Sequence, residues 1–507
     1  MKISGIQSNV INYNIKGKSK KSKSPSFKGA ITDPVYGDAW ASMYSYDKLK
    51  RESSKYPKDV KYRESLLANL GISPKDQHMI RPIIGPQEIK EVIKGYNDKP
   101  QAYSKGETWE NVNNHTMRAN IHMHTQASDG ALTIGDLLDK SAEYANKVKS
   151  DFPNEAEPFV VAITDHDTTE SATGAVKIIH EKPLKYQNLR VILGSELTSF
   201  NNVATDLVHT PINTHVLAYG IDPNEKDFKG FIDSNKQRKQ VIEEKMTDTA
   251  NKVYADMFHK DNFFSVGEAK KQYLPIQKNI LGIFNGMDNY FKNKIAVEHV
   301  ILKNPDIKSK LEERNLPTDT EGFMDKMSEF HKTFDRNCKI LPPKKTLPEF
   351  VSVCTDIPQE DVLNILNEGL KSKEVTALNK ALDKSTAEYR ITLNPKHPFM
   401  PTFSTLYEGL ESQPDAMLGV AHPIDYTKAV TEEDKKFKVL TDLYTKFKKE
   451  CKEKATFTEA YYQSYKPGRK EFNAEPKTQK FLDAVSKTFG LIKTGSADTH
   501  GLNVFVR

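Results

Sequence analysis

Cysteine and long apolar runs are scarce in this chain of 507 residues. The three cysteines, Cys338, Cys354 and Cys451, are widely spaced and form no Cys-x-x-Cys pair. Their spacing argues against a disulfide scaffold and a thiolate zinc site, and a reducing, cytoplasmic compartment is the simplest interpretation. The longest unbroken apolar run is about five residues, Phe159 to Ile163, so we predict no membrane-spanning segment. The amino terminus also lacks the apolar core of a secretory signal.

Positive charge in excess is confined to the first 30 residues. The net charge is +6, and residues 1–30 contain seven lysines and no acidic residue. Residues 31–507 are left with 67 basic and 68 acidic residues, a net charge of −1. We interpret 1–30 as a disordered basic tail, either a solvated linker or a handle for an acidic surface. Because a body that binds duplex nucleic acid usually has its own basic excess, we expect no stable binding of duplex DNA.

The rest of the chain divides by its hydrophobic periodicity. Residues 31–115 are polar and predict a helical extension, in which Gln87–Tyr96 is the clearest helix. In 116–225 and again in 401–507, short apolar runs alternate with helical patterns. Between them, 226–400 is rich in Lys, Glu, Asn and Leu and has helical patterns alone. We therefore predict one domain in two halves, interrupted by a large helical insertion.

Seven apolar runs predict strands: Arg118–Ile121, Phe159–Thr164, Arg190–Gly194, His215–Tyr219, Met417–Ala421, Thr456–Tyr462 and Leu491–Gly495. Several are separated by helical patterns, such as the one from Thr133, a potential cap, to Val148. Alternation of strands and helices predicts an α/β fold with a parallel sheet or barrel. Most runs end or begin with a metal-binding type of side chain. A β/α barrel places its site at the carboxyl ends of its strands, so these side chains are site candidates.

The strongest local motif is Asn120-Ile-His122-Met-His124, followed by Asp129-Gly130. Alternate residues of a strand point to one side, so His122 and His124 can present their imidazoles to one ion. A second motif, Asp165-His166-Asp167, ends an apolar strand. Its three polar groups must be solvated or bound; an Asx turn that caps the following helix is the alternative.

The remaining candidates lie at other strand ends: Glu196, His215, His422, Asp498 and His500. Each one alone has an ordinary structural explanation. Together with the two motifs they make six histidines and three carboxylates. Imidazole nitrogen and carboxylate oxygen suit Mn²⁺, Zn²⁺ or Fe²⁺ better than Ca²⁺ or Cu⁺. Nine ligands exceed the need of one ion, so we predict two or three divalent ions that share a bridging carboxylate.

Six motifs occur in a fixed order: His-x-His…Ser-Asp-Gly, Thr-Asp-His-Asp, Gly-x-Glu, His-x-Leu-x-Tyr-Gly-Ile-Asp, Ala-His-Pro and Gly-Ser-x-Asp-x-His-Gly. Together they resemble the PHP (polymerase and histidinol phosphatase) superfamily over roughly 116–225 and 400–507. The resemblance implies a distorted, TIM-like (β/α)7 barrel. It also implies three metal sets: His122, His124, Glu196 and Asp498; then Glu196 as a bridge with His215 and His422; then Asp129, His166 and His500.

The activity expected from this resemblance is metal-dependent hydrolysis of a phosphate ester of a nucleotide, oligonucleotide or small metabolite. Metals lower the pKa of bound water, so a metal-bridged hydroxide can attack phosphorus while the cations neutralise phosphoryl charge. Glu196 and Asp498 are the catalytic candidates, and either Asp498 or a metal-bound water is expected to shuttle the proton. The alternatives are a non-catalytic, metal-binding interaction module and an amidohydrolase-type C–N hydrolase. In the latter class a lysine usually stands where this chain has Glu196.

One motif departs from the family pattern. Members that act on nucleotides often have an arginine shortly after Ala-His-Pro, whereas this chain reads His422-Pro-Ile-Asp425-Tyr-Thr-Lys428. Asp425 would repel a phosphate. Lys428 and Arg469 are weak candidates to bind it instead, and solvated surface charge is the alternative for both. The 226–400 insertion is expected to act either as a lid over the metals or as a partner-binding appendage.

Overall fold

The computed structural model describes residues 54–98, 119–151, 153, 157–203, 207–208, 212–273, 280–337, 347–392, 401–427, 430–462, 476–496 and 498–501. The basic tail, Cys338, Lys428 and Arg469 lie outside these residues. Within them, no helix combines the length and the apolar character needed to cross a membrane.

Seven strands form one sheet in sequence order: β1 Ala119–Met123, β2 Phe159–Ile163, β3 Leu189–Asn201, β4 Ile212–Tyr219, β5 Met417–Val420, β6 Ala455–Tyr462 and β7 Ile492–Ser496. Beyond β7, the backbone N–H of His124 donates to Thr499 O (2.9 Å), and that of Thr499 donates to His122 O (3.1 Å). These bonds join the two edges of the sheet, so it closes as a distorted barrel. The predicted α/β barrel of seven strands is confirmed.

Strand β4 is the exception to the parallel arrangement expected from the sequence. It runs antiparallel to both β3 and β5, while the other neighbouring strands pair in parallel. The reason is the short connection between Asn201 and Ile212, because a parallel crossover needs about a dozen residues or more, usually including a helix. Reversal brings the start of β4 to the carboxyl ends of the other strands.

The amino-terminal extension contains helices α1 (Pro57–Asn69) and α2 (Pro86–Asp98). Ile89 and Ile93 of α2 are fully buried in a cluster with Ala119 and Ile492, the first residues of β1 and β7. Helix α2 therefore closes the amino-terminal end of the barrel. The opposite end is left to the predicted metal-binding residues.

Helices α3 (Ile134–Asp151) and α4 (Glu170–Glu181) follow β1 and β2. The predicted cap of α3 is present, since Thr133 Oγ1 accepts a hydrogen bond from the backbone N–H of Asp136 (3.1 Å). Both helices bury apolar residues, such as Leu138 and Val176, in one core with the outer side of the sheet. This core supports the loops that hold the site.

The described part of the insertion, 226–400, contains eight α-helices: α5 Lys226–Phe258, α6 Val266–Tyr273, α7 Ile280–Ala296, α8 Pro305–Glu313, α9 Thr320–Asn337, α10 Leu347–Thr355, α11 Gln359–Gly369 and α12 Lys373–Thr392. A single π-helical turn, Val297–Ile301, follows α7. Phe264, Met287, Phe323 and Leu378 belong to a hydrophobic core that is separate from those of the barrel. The described part of the insertion is thus helical, as its periodicity indicates, and the exact domain boundaries stay predictions.

Glu225 caps α5 and ties it to the barrel. Its carboxylate accepts hydrogen bonds from the backbone N–H groups of Asp227 (3.1 Å) and Phe228 (2.9 Å) and from the Ser412 hydroxyl. Burial raises the pKa of Glu225, but the bonds from Ser412 and the backbone outweigh it, so the pKa is lower than usual. The cap therefore carries its charge at neutral pH, next to the positive end of the helix dipole.

The second half of the barrel adds α13 (Phe403–Gly409), α14 (Glu433–Cys451) and α15 (Pro476–Phe489). Leu443 and Phe447 of α14 pack into the core of the first half. Cys451 is buried and Cys354 partly buried, and both are free thiols.

Candidate metal centre

The nine residues predicted to bind metal lie together at the carboxyl ends of the parallel strands. They are His122 in β1, His124 and Asp129 after it, His166 after β2, Glu196 in β3, His215 in β4, His422 after β5, and Asp498 and His500 after β7. His215 reaches this end because β4 is reversed, which aligns it with Thr198 of β3.

Glu196 is the centre of the cluster. Five imidazoles surround its two oxygens: Oε2 is 3.2 Å from His122 Nε2, 3.3 Å from His124 Nε2 and 3.0 Å from His166 Nδ1, and Oε1 is 3.1 Å from His215 Nδ1 and 3.2 Å from His422 Nε2. The side chain is 1% exposed. A carboxylate whose two oxygens face different imidazole sets has the geometry of a bridging ligand.

Asp498 and Asp129 occupy the two flanks of the cluster. Asp498 Oδ1 is 3.3 Å from Nε2 of both His122 and His124. Asp129 Oδ1 is 3.4 Å from His500 Nε2, and its Oδ2 is 3.5 Å from His166 Nε2. The three carboxylates therefore divide the imidazoles into adjoining groups.

Three groups could each hold an ion, with one potential ligand atom per residue within 4.8 Å of the others: His122, His124 and Asp498; His166, Glu196 and His215; and His124, Asp129, His166 and His500. They overlap the three sets implied by the family resemblance, but His422 is in none of these groups, and His166 joins Glu196 and His215 in its place. His166 and His124 each lie in two groups.

Several buried polar atoms of the cluster make no hydrogen bond within the described part of the chain. Among the described residues, His122 Nε2, His124 Nε2, His166 Nδ1 and Glu196 Oε2 are buried and find no hydrogen-bond partner of acceptable geometry. Buried polar atoms in this state are costly unless another group binds them. Because imidazole nitrogens and carboxylate oxygens are ligands of divalent transition metals, the residues fit a metal centre.

The charges of the cluster explain how protons and metals would compete there. Desolvation lowers the pKa of His124, but Asp498 and Glu196 outweigh it and raise the pKa to about 10. Desolvation raises the pKa of Glu196, whereas the imidazoles, His166 first, hold it well below its usual value. For His166 itself, burial prevails and lowers the pKa to about 4. Metal binding must therefore displace protons from imidazoles such as His124.

The backbone is strained at three residues of this end of the barrel. Asp167 (φ 46°), His422 (φ 28°) and Asp498 (φ 48°) have left-handed backbone conformations. Such a conformation costs about 1–3 kcal/mol in a non-glycine residue and is typical of functional sites. Two of the three are predicted metal ligands.

Glu459 is a site residue that the sequence analysis missed. It lies in β6, 1% exposed, with Oε1 3.0 Å from His122 Nδ1, while Oε2 accepts a hydrogen bond from the backbone N–H of His422 (2.7 Å). The Ser496 hydroxyl also donates to Oε1. Glu459 thus orients the His122 ring so that Nε2 faces Glu196. A lone carboxylate in the alternating run Thr456–Tyr462 is the signal that could have indicated it.

The two aspartates beside His166 support the site. Asp165 accepts hydrogen bonds from the backbone N–H and hydroxyl of Thr125, each 2.7 Å long. Asp167 accepts two from Thr198, each 2.9 Å long. Helix α4 begins after Thr169, which makes no side-chain cap. The Asx-turn alternative is therefore wrong: the aspartates bind neighbouring strand and loop residues.

Of the residues expected to affect phosphate binding, the structure describes Asp425 alone. Asp425 lies beside the cluster, with Oδ2 4.0 Å from His422 Nδ1. Lys428 and Arg469 fall outside the described residues, so their role stays a prediction. The catalytic roles of Glu196 and Asp498 also stay predictions, although both lie inside the cluster.

Comparisons with known proteins add distant neighbours. No family model matches the chain, and no curated protein does. One solved structure, an amidohydrolase from Chromobacterium violaceum with bound sulfate and no metal, is 15% identical, with 76% of this chain and 87% of that chain covered and a TM-score of 0.34. Another, from Bifidobacterium adolescentis and provisionally named a metal-dependent phosphoesterase, is 17% identical, with 76% and 88% covered and a TM-score of 0.29.

Both of these neighbours are named as hydrolases. Likenesses at these TM-scores carry no argument about this chain. The chain resembles the PHP superfamily on other grounds: six motifs in order, and a barrel that brings their nine ligand-type residues to one place.

Proposed function

We propose that this chain is a metal-dependent hydrolase of phosphoric ester bonds that uses two or three ions of Mn²⁺, Zn²⁺ or Fe²⁺. The observation that carries the proposal is the cluster around Glu196, where buried ligand atoms of His122, His124 and His166 lack hydrogen bonds among the described residues. Its substrate is a phosphorylated small molecule, a nucleotide or a short oligonucleotide.

Divalent cations, when bound, neutralise the charge that develops on a phosphoryl group and lower the pKa of water. The chain's own residues orient the ligand atoms. His500 Nδ1–H donates a hydrogen bond to the backbone carbonyl oxygen of Asp498 (2.9 Å), which leaves Nε2 facing Asp129. The contact between Glu459 and His122 Nδ1 has the same effect on His122. Both rings therefore present Nε2 to the cluster.

Asp498 is suited to hold the proton that the attacking water loses. Its Oδ1 lies 3.3 Å from Nε2 of His122 and of His124, at the edge of the cluster. Glu196 is at the middle and serves as the bridge between ligand sets. These roles agree with the in-line hydrolysis expected from the family resemblance.

One observation favours a second candidate, a C–N hydrolase or a non-catalytic module. Asp425 is 14% exposed beside His422 and would repel a phosphate dianion. A substrate of lower charge would tolerate it better.

Phosphate release by the Mn²⁺-loaded protein tests the proposal, on a panel of nucleoside mono- and bisphosphates, short oligonucleotides and sugar phosphates. We expect turnover of one class and its loss by at least ~100-fold in His124→Ala. His180→Ala, at a partly buried histidine of α4 away from the cluster, is the matched control. If the metal-replete protein released no phosphate from any member of the panel, phosphoester hydrolysis would be rejected, and amide substrates would then be tested.

A further inference from the structure

A cavity of about 350 Å³ lies beside the metal centre, between the barrel and the insertion. Residues of the loops after β1 and β2, His166 among them, form its barrel wall. Residues of α5, α6 and α7 form the other wall. His166 borders both the cavity and the candidate metal centre, since its Nδ1 is 3.0 Å from Glu196 Oε2. A group ester-linked to a phosphate at the metals would enter it.

Ion pairs hold the insertion in this position. Lys239 Nζ of α5 is 3.2 Å from Asp167 Oδ2, and Lys236 Nζ is 3.3 Å from Glu170 Oε1 of α4. The Lys239–Asp167 pair is the more buried one, with side chains 13% and 1% exposed. Helix α5 is therefore attached directly next to His166. This contact favours the insertion as a wall of the substrate site over a remote appendage.

A third ion pair completes the insertion side. Lys270 Nζ of α6 is 2.8 Å from Glu243 Oε2 of α5, and both residues line the cavity. Each of the cavity's three ammonium groups thus has a carboxylate next to it. Such pairs offer donors and acceptors side by side, which is the arrangement that hydroxyl groups can bridge.

Most lining residues have polar or charged groups, although carbon atoms make up most of the surface that faces the cavity, and the imidazole of His166 is its one ring among the described residues. Six of its eleven residues are charged, and Ala127 and Ile283 are its apolar side chains. Sites for drug-sized ligands are mostly apolar, and sites for bases usually stack them on aromatic rings. Since no Phe, Tyr or Trp is among the described residues that line this cavity, and the His166 ring belongs to the candidate metal centre, a nucleobase would find little to stack on here.

We propose that this cavity binds the alcohol part of the substrate, and that the substrate is a small hydroxylated phosphoester, a sugar or polyol phosphate. The volume, at the lower end of the range of ligand sites, fits one such unit better than an oligonucleotide. The inference depends on the proposed function for the position of the phosphate. Lys270, Lys236 and Gln240 are its specificity-determining residues, since they line the wall that the insertion supplies.

Binding of non-hydrolysable analogues to the Mn²⁺-loaded full chain tests this inference by calorimetry. The probes are the methylene phosphonate analogues of glucose 6-phosphate and of adenosine 5′-monophosphate. We expect the sugar analogue to bind at least ~10-fold more tightly, and Lys270→Met to weaken it by about 10-fold. Lys271→Met is the matched control, because Lys271 lies on the same helix but pairs with Asp325 (2.9 Å) and does not line the cavity.

Lys236→Met is a second test variant, in case Lys270→Met does not fold. Lys270→Met removes an ion pair to the buried carboxylate of Glu243, whereas Lys236→Met breaks a pair whose side chains are 47% and 65% exposed. Lys236→Met should fold normally and also weaken the sugar analogue. Equal binding of the two analogues, equal effects of Lys270→Met and Lys271→Met, or no binding of either analogue would overturn the inference.

Hydrolysis of p-nitrophenyl phosphate, measured in parallel, separates this inference from the proposed function. Turnover of this reagent without preferential binding of the sugar analogue would support phosphoester hydrolysis and reject the sugar site. Selective binding of the sugar analogue without turnover of any phosphoester supports the cavity assignment and rejects the hydrolase.

Discussion

Glu459→Gln is the substitution that tests how the barrel orients its ligands. The carboxylate of Glu459 contacts three groups: Nδ1 of His122 (3.0 Å), the backbone N–H of His422 (2.7 Å) and the hydroxyl of Ser496. Glutamine has nearly the same shape but only one oxygen acceptor. Its NH₂ group must face one of these donors. At least one buried donor then loses its partner.

The magnitude follows from that loss. A buried donor left unsatisfied costs about 1–3 kcal/mol, and 1.4 kcal/mol corresponds to a factor of ten in affinity. Since the lost bonds position His122 and His422, metal affinity should fall about 10- to 100-fold. The variant should still fold, because its side-chain volume is unchanged.

Competition with a chromophoric chelator measures the Mn²⁺ and Zn²⁺ affinities of the variant. Glu408→Gln, at an exposed glutamate of α13, is the control and should bind as the wild type does. Urea unfolding in EDTA separates weaker metal binding from a general loss of stability. Unchanged affinity in Glu459→Gln, within about twofold, would refute the idea that Glu459 positions His122, since that role predicts at least a tenfold loss.

Three further predictions concern stability. Removing metal with EDTA should lower the melting temperature, because a metal ion at 100 times its Kd stabilises the folded state by about 2.7 kcal/mol. Scanning fluorimetry measures this decrease, and an equally large decrease in His124→Ala would contradict the prediction. Glu225→Gln should cost about 0.5–1 kcal/mol at pH 7. Because the folded pKa of Glu225 is lowered, this stabilisation is present above the unfolded pKa and is lost as the pH falls through the folded pKa, so the urea unfolding curves of the two proteins should converge in acid. Gly419→Ala places a Cβ against the ring of Phe457 and should lower the free energy of unfolding by about 1–3 kcal/mol. Gly230→Ala, which meets open space on α5, should raise it by about 0.5–1 kcal/mol, and equal unfolding midpoints of the two variants would contradict this difference.

The strands and most of the site could be predicted from local patterns. Each of the seven apolar runs corresponds to a strand of the sheet, and the pattern Gln87–Tyr96 lies within α2. Ligand-type side chains at strand ends indicated all nine members of the cluster around Glu196. These features depend on residue type and on periods of two or 3.6 residues, which a sequence displays directly.

The direction of β4 was predictable in principle. The connection from Asn201 to Ile212 is too short for a parallel crossover with a helix. His215 opens the apolar run His215–Tyr219, whereas the other ligand-type residues end theirs, and this difference also indicated a reversed strand. His215 meets the other ligands because of this reversal.

Only the tertiary structure decided which distant residues meet. Glu459 lies 337 positions from His122, and no local pattern connects them. The same holds for α2, whose Ile89 and Ile93 close the barrel, and for the Lys239–Asp167 pair that sets the insertion beside the candidate metal centre. Periodicity determines which face of an element is buried, whereas its partner is chosen by packing over the whole chain. The sequence by itself therefore determined the barrel and its candidate metal ligands, and the tertiary structure decided how those residues are oriented and which part of the insertion lies beside them.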